Sequence, residues 1–69
     1  RVMFVRRIDK SIEQVRITIG EGEATTQQLE WKNDIASFSV ELDDTESKVF
    51  VNMEFLDENG NVIFITFMT

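Results

Sequence analysis

Residues 48–69 constrain the fold most strongly, because they form two strand-like runs that are apolar on both faces. Successive residues of a strand point to opposite sides of the sheet, so the pairing register decides which set is buried. The odd-numbered residues of the two runs are all apolar: Val49, Val51, Met53, Phe55, Ile63, Ile65 and Phe67. A C-terminal β-hairpin that pairs odd with odd positions gathers these seven side chains, and we predict that they form part of a core.

A three-residue loop gives this odd-to-odd pairing. With Glu58, Asn59 and Gly60 in the loop, Asp57 faces Asn61. Asp57 suits the first position of a type I turn, and Gly60 supplies the left-handed residue that such a loop needs. The register then places Phe55 opposite Ile63, Met53 opposite Ile65 and Val51 opposite Phe67. A two-residue turn at Asn59 and Gly60 is the alternative, and it would pair odd with even positions.

The opposite face of the same hairpin also carries apolar side chains. An antiparallel sheet with one solvated face normally alternates, whereas near-continuous apolar runs mark strands that are covered on both sides. Monomers rarely expose a contiguous apolar patch, so this face needs a cover from the same protein, a second copy or a partner. An aggregation-prone strand without a binding role is a further alternative. The candidate interface residues are Phe50, Leu56, Val62, Phe64 and Met68.

Four more strands precede the hairpin. The segment 2–8 alternates, 12–20 alternates through Val15 and Ile17, and two further strands are centred on Leu29 and Phe38. Turns are predicted at 9–11, 20–23, 33–34 and 43–47. A helical stripe through 8–19 competes with the second strand, but its β-branched residues favour a strand. The prediction is an all-β fold of about six antiparallel strands in a small sandwich or barrel with short turns.

The single Trp and the arginines have structural interpretations as well as functional ones. Trp31 suits a core anchor better than a ligand platform, because its large area helps to fill a small core. Arg6, Arg7 and Arg16 are expected to be solvated or to pair with carboxylates of neighbouring strands.

The length of 69 residues predicts a single small domain, 1–69, of marginal stability. No Cys or His is present, so disulfides and the usual zinc sites are excluded. Oligomerisation is the remaining way to stabilise so small a domain. The chain lacks an initiator Met and a signal-peptide pattern, which is also compatible with a fragment of a longer protein. No apolar run reaches the roughly 20 residues of a membrane-spanning helix, so we expect a soluble protein with no membrane partner.

Catalytic chemistry is not expected from these residues. Without His and Cys, the common general base and the thiolate nucleophile are missing, and the carboxylates lie in turns where they are normally solvated. The oxygen spacing of Asp57, Asn59 and Asn61 is that of a calcium loop, but Val62 and Met68 stand where such a loop needs Gly and Glu. We therefore predict no enzyme activity, no cofactor and no metal.

The charge distribution limits the partners. Residues 1–19 carry five cationic side chains and two carboxylates, a balance of +3, whereas 20–69 carry two and eleven, a balance of −9. This acidity argues against nucleic acid as a partner. The alternative it raises is a small acidic inhibitor or decoy that binds a basic site on another protein.

The leading hypothesis is a non-enzymatic structural or interaction module. It would self-associate as a homo-oligomer, or dock on a protein partner, through the apolar outer face of the C-terminal hairpin. An immunoglobulin-like or viral structural domain is one setting for such a module, although the Cys and Trp constellation of immunoglobulin domains is missing. The sequence does not fix a cellular compartment.

Overall fold

The computed structural model describes residues 1–42 and 49–68, and its regular elements are six β-strands. They are β1 (Val2–Arg6), β2 (Gln14–Ile19), β3 (Thr25–Gln28), β4 (Ile35–Ser39), β5 (Val51–Leu56) and β6 (Val62–Met68). The prediction of an all-β fold with six antiparallel strands is confirmed. The helical alternative for 8–19 is wrong, because β2 occupies the second half of that segment and no part of it is helical.

The strands form two antiparallel sheets. One sheet has the order β3-β2-β5-β6, and the other consists of β1 and β4. The buried core draws on both sheets, and the Phe38 ring of β4 meets the Phe55 ring of β5 edge-on at 6.0 Å between centroids. Apolar side chains from the inner faces of the two sheets therefore share one core.

Alternation along β2 and β4 explains how these strands contribute to the core. Val15 and Ile17 are buried, as are Ala36 and Phe38, while the residues between them are more exposed. On the outer face of β2, Arg16 pairs with a carboxylate of the adjacent strand β5, as predicted for the arginines.

The chain passes from the first sheet to the second through a tight turn. Asn33 and Asp34 both have left-handed backbone angles, and Lys32 and Ile35 exchange two backbone hydrogen bonds of 2.9 and 3.0 Å around them. This is the geometry of a two-residue turn that asparagine and aspartate tolerate well. Just before it, the Trp31 side chain is half-buried and packs against the core, which agrees with its prediction as a core anchor.

Polar contacts hold Trp31 and the turn at 9–11. The Trp31 indole Nε1 donates to the carbonyl of Ile12 at 2.8 Å, and the Arg7 guanidinium lies 5.3 Å from the ring centroid. The Asp9 carboxylate accepts hydrogen bonds from the backbone and hydroxyl of Ser11, as expected for a turn. The predicted connector at 43–47 lies outside the described residues.

The C-terminal hairpin confirms the predicted loop and corrects the predicted register. The Asp57 N–H donates to the Asn61 carbonyl at 2.9 Å, and Gly60 has φ of 85°, as the three-residue loop requires. Leu56 pairs with Val62, but a β-bulge then shifts the pairing by one residue. Beyond the bulge, Phe55 pairs with Phe64, Met53 with Thr66 and Val51 with Met68.

This shift exchanges the two faces of β6, because side chains alternate with a period of two. Thr66 and Met68 share the inner face with the buried residues of β5, whereas Ile65 and Phe67 share the outer face with Glu54 and Asn52. The prediction that Ile63, Ile65 and Phe67 belong to the core is therefore wrong, and all three are exposed. In the described part of the chain, no helix is long and apolar enough to cross a membrane.

Candidate interaction surface on strand β6

Strand β6 lies at the edge of the four-stranded sheet and contains no charged residue. Its seven residues are Val62–Met68, with Thr66 as the one polar side chain. Within residues 1–42 and 49–68, β6 pairs only with β5, so its other backbone edge has no strand partner. Natural edge strands are usually protected by charges, proline or short length. A long, uncharged edge is therefore a place where another strand can pair.

The outer face of the hairpin carries an apolar cluster, which we call the outer patch: Phe50, Ile65 and Phe67. The Phe50 and Phe67 rings pack together with 5.0 Å between their centroids. The exposed fractions are 47% for Phe50, 54% for Ile65 and 61% for Phe67. Three large apolar side chains next to one another thus remain accessible to solvent.

An ion pair borders the outer patch beside Ile65. Glu54 lies opposite Ile65 in the hairpin, and its carboxylate accepts a hydrogen bond of 2.8 Å from Arg16. This hydrogen bond lowers the pKa of Glu54 and raises the pKa of Arg16 from their ordinary values. The patch is consequently flanked by a paired charge rather than a free carboxylate.

The inner side of β6 faces a cleft between the two sheets, which we call the seam cleft. It has a volume of about 310 Å³ and is bordered by Phe4, Arg6 and Ile8 on one side and by Phe64 and Thr66 on the other. Its remaining lining residues are Val5, Ile12, Phe38 and Phe55. Strand β6 therefore has accessible apolar surface on both of its faces.

The predicted interface residues do not form a single surface. Phe50 lies on the outer patch, and Phe64 lines the seam cleft, while Val62 is exposed next to the bulge. Leu56 is buried and closed to a partner, whereas Met68 is half-buried against the core and only partly exposed. The bulge explains the difference, since it separates residues that strict alternation would place together.

Sequence reasoning missed Ile65 and Phe67 as surface residues. The pattern of β6 is apolar at nearly every position, so it does not distinguish the inner from the outer set. On β5, the polar residues Asn52 and Glu54 indicate which face is solvated. They indicate which residues of β6 share that face only when the pairing register is known.

The remaining polar clusters behave as turn chemistry. Asp57 accepts backbone hydrogen bonds from Asn59 and Asn61 at 2.9 and 2.8 Å, and the Asn61 side-chain amide donates to it at 3.0 Å. Among the described residues, no group of three or more His, Cys, Asp or Glu side chains could hold a metal ion. The acidic residues Asp43, Asp44 and Glu46 lie outside those residues.

Among the described residues, other clefts lie away from β6. One of about 710 Å³ lies beside Trp31 and Phe4, and one of about 460 Å³ lies between Ile19 and Val40. Their linings include charged side chains, Glu30 and Lys32 in the first cleft and Glu41 in the second, whereas β6 is apolar apart from Thr66. Strand β6 with its two faces is therefore the candidate functional surface.

The comparisons with known proteins found no matching family model, no matching curated protein and no matching solved structure.

Proposed function

We propose that this protein is a non-enzymatic interaction module that self-associates through strand β6. The observation that carries this proposal is the position of β6. It is an uncharged edge strand with the outer patch on one face and the seam cleft on the other. An apolar strand of this kind is stable in water when a partner covers it.

The apolar area is sufficient for a reversible association. Burying the exposed half of Phe50 and Phe67 removes on the order of 200 Å² of apolar surface from water in each copy, worth about 5 kcal/mol per copy. Association itself costs roughly 4–15 kcal/mol in lost freedom of motion. Two copies that cover these rings gain about 10 kcal/mol together, which is of the same size as this cost, so we expect a weak dimer that depends on concentration.

The charges allow two acidic chains to meet at β6. The net charge is −6, yet β6 has no charge and Glu54 beside it is paired with Arg16. Repulsion between two copies then acts mainly over longer distances, where it is screened within about 8 Å at 0.15 M ionic strength. Added salt should strengthen this self-association, whereas it would weaken the binding of an acidic decoy to a basic site.

Sedimentation equilibrium over a concentration series tests the proposal. We expect the mass to rise above 8.0 kDa with concentration, and to rise further with salt. Ile65→Lys places a charge in the outer patch and should return the mass to that of one chain. The matched control is Ile35→Lys, which changes an exposed isoleucine of β4 and should leave the association unchanged.

Circular dichroism and thermal melting are the controls that test whether each variant is folded before its mass is compared. Two results would contradict self-association through β6. One is a mass of a single chain at every concentration, and the other is an equal loss of association in both variants.

A further inference from the structure

We infer that the second copy adds its own β6 to the free edge of β6, antiparallel and about a two-fold axis at Thr66. The inference rests on the proposed self-association and specifies its partner and geometry. The four-stranded sheets of the two copies would then form one continuous sheet of eight strands. Such an interface is isologous, because the same strand is presented by both copies.

The β-bulge determines the centre of the pairing. It separates the Leu56 and Val62 pair from the Phe55 and Phe64 pair, so the regular part of β6 is 64–68. A bulge bends and twists its strand and ends regular pairing on that strand. Thr66 is the middle of the five regular residues, and a two-fold axis there lets all five pair.

This register matches side chains that pair well across strands. Thr66 faces Thr66 of the second copy, and Ile65 faces Phe67 of the second copy. Thr–Thr pairs and pairs of an aromatic with a β-branched residue are favourable neighbours in antiparallel sheets. At each end, Phe64 faces Met68 of the second copy, and methionine sulfur packs favourably against aromatic rings.

The added strand would make side-chain contacts on both faces of β6. On the outer face, Ile65 and Phe67 of the two copies become neighbours, which joins the two outer patches. On the inner face, the added strand places its Phe64 and Thr66 on the side of the seam cleft, where Phe4 and Ile8 are exposed. A face-to-face contact between outer patches would leave the inner face open.

The edge itself presents no like charges to a second copy, although the two acidic chains repel each other at longer range. No charged residue lies in β6, so the antiparallel pairing aligns no like charges. Among the described residues, Arg6 is the charged side chain that lines the seam cleft. Its positive charge is opposite in sign to the net charge of −6 on the incoming chain.

Cysteine cross-linking tests the register, because the natural chain has no Cys. In Thr66→Cys the two thiols face each other across strands whose Cα atoms are about 4.5–5.5 Å apart. This separation lies within the range of roughly 4.4–6.8 Å found for disulfides. We expect mild oxidation to produce a covalent dimer on a non-reducing gel.

Ile63→Cys is the matched control on the same strand. In the proposed register its two thiols are six residues out of alignment, about 20 Å along the strand at 3.4 Å per residue. We expect this variant to remain a single chain under the same oxidation. Circular dichroism of both reduced variants shows whether they are folded.

A mixture of two variants provides a test that leaves Thr66 intact. Ile65→Cys and Phe67→Cys change exposed residues, and their thiols face each other only between unlike chains. We expect the mixture to cross-link faster than either variant alone, where the thiols are diagonal neighbours about 7–8 Å apart.

The outcomes separate this inference from the proposed function. If the natural chain self-associates while Thr66→Cys cross-links no faster than Ile63→Cys, and the mixture no faster than its components, edge pairing is wrong and self-association stands. If the natural chain has the mass of one copy at every concentration, both proposals are wrong.

Discussion

The two sheets meet along two seams, and these seams differ in how their strand edges are satisfied. At the seam between β3 and β4, the Gln27 side chain bridges the sheets. Its Nε2 donates to the Ser39 carbonyl at 2.6 Å, and its Oε1 accepts from the Ser39 N–H at 3.0 Å. At the seam between β1 and β6, apolar side chains border the seam cleft instead, and no hydrogen bond joins these strands within the described residues.

The difference shows how one side chain can close a strand edge. A primary amide offers both a donor and an acceptor, so Gln27 satisfies the backbone of Ser39 as a neighbouring strand would. Strand β6 has no amide side chain, and its one polar group, the Thr66 hydroxyl, sits on a shorter side chain that reaches less far than glutamine. We call the seam between β3 and β4, which Gln27 bridges by hydrogen bonds within one chain, the closed seam. We call the seam between β1 and β6 the open seam, because it leaves a strand edge for a second copy.

Removing an aromatic ring beside the open seam should have the largest effect on the stability of the single chain. Phe55 is 4% exposed and Phe64 is 43% exposed, with 6.2 Å between their ring centroids. Phe55→Ala should lower the free energy of unfolding by about 3–5 kcal/mol, as for buried Phe residues in general. Phe64→Ala should cost about 1–2 kcal/mol in the single chain, because the transfer energy of its exposed part is not lost.

Urea unfolding at low protein concentration measures both values. A domain of this size has a total stability of roughly 3–10 kcal/mol, so Phe55→Ala should lose a large share of it and unfold at a much lower urea concentration than the natural chain. Equal losses for the two variants would contradict an open seam, since they would place Phe64 in a closed core.

Much of the fold could be predicted from short-range sequence patterns. Alternation through Val15 and Ile17, and again through Ala36 and Phe38, identifies β2 and β4 and their buried faces. The turns follow from residues that tolerate left-handed backbone angles, such as Asn33 and Gly60. These signals are local, because the residues that determine each element lie within it.

The residues of the candidate interaction surface on β6 could not be predicted from such local patterns, because they depend on the pairing register. One extra residue at the bulge exchanges the faces of β6, and an apolar run such as Phe64 to Phe67 has the same pattern in either register. The closed seam was missed for a related reason. Gln27 bonds a strand twelve residues away in the chain, and nothing in its neighbours indicates that contact.

Replacing Gln27 tests the closed seam, with an intermediate expected effect. Gln27→Ala removes two hydrogen bonds to Ser39 and should lower the free energy of unfolding by about 1–2 kcal/mol. Gln28→Ala is the matched control, since Gln28 is the exposed neighbour on the same strand. Thermal melting compares the two, and equal melting temperatures would show that the Gln27 bridge does not stabilise the seam. Self-association through β6 should be unchanged in both.

The smallest expected effect is the contribution that Asp57, in the hairpin that carries the open seam, makes to the pH dependence of stability. Hydrogen bonds from the Asn61 backbone and side chain, with others from the loop, lower the pKa of Asp57 below its ordinary value. A carboxyl whose pKa is lower in the folded state stabilises fully above its unfolded pKa of about 4, and this contribution is lost as the pH falls through the folded pKa. Melting temperatures of the natural chain and Asp57→Asn should therefore differ at pH 7 and converge at a pH below the folded pKa of Asp57.

Gln27→Ala is the control, because Gln27 does not titrate. Its melting temperature should differ from that of the natural chain by the same amount at each pH. If Asp57→Asn retains the full acid dependence of the natural chain, other carboxyl groups cause it and the Asp57 turn does not.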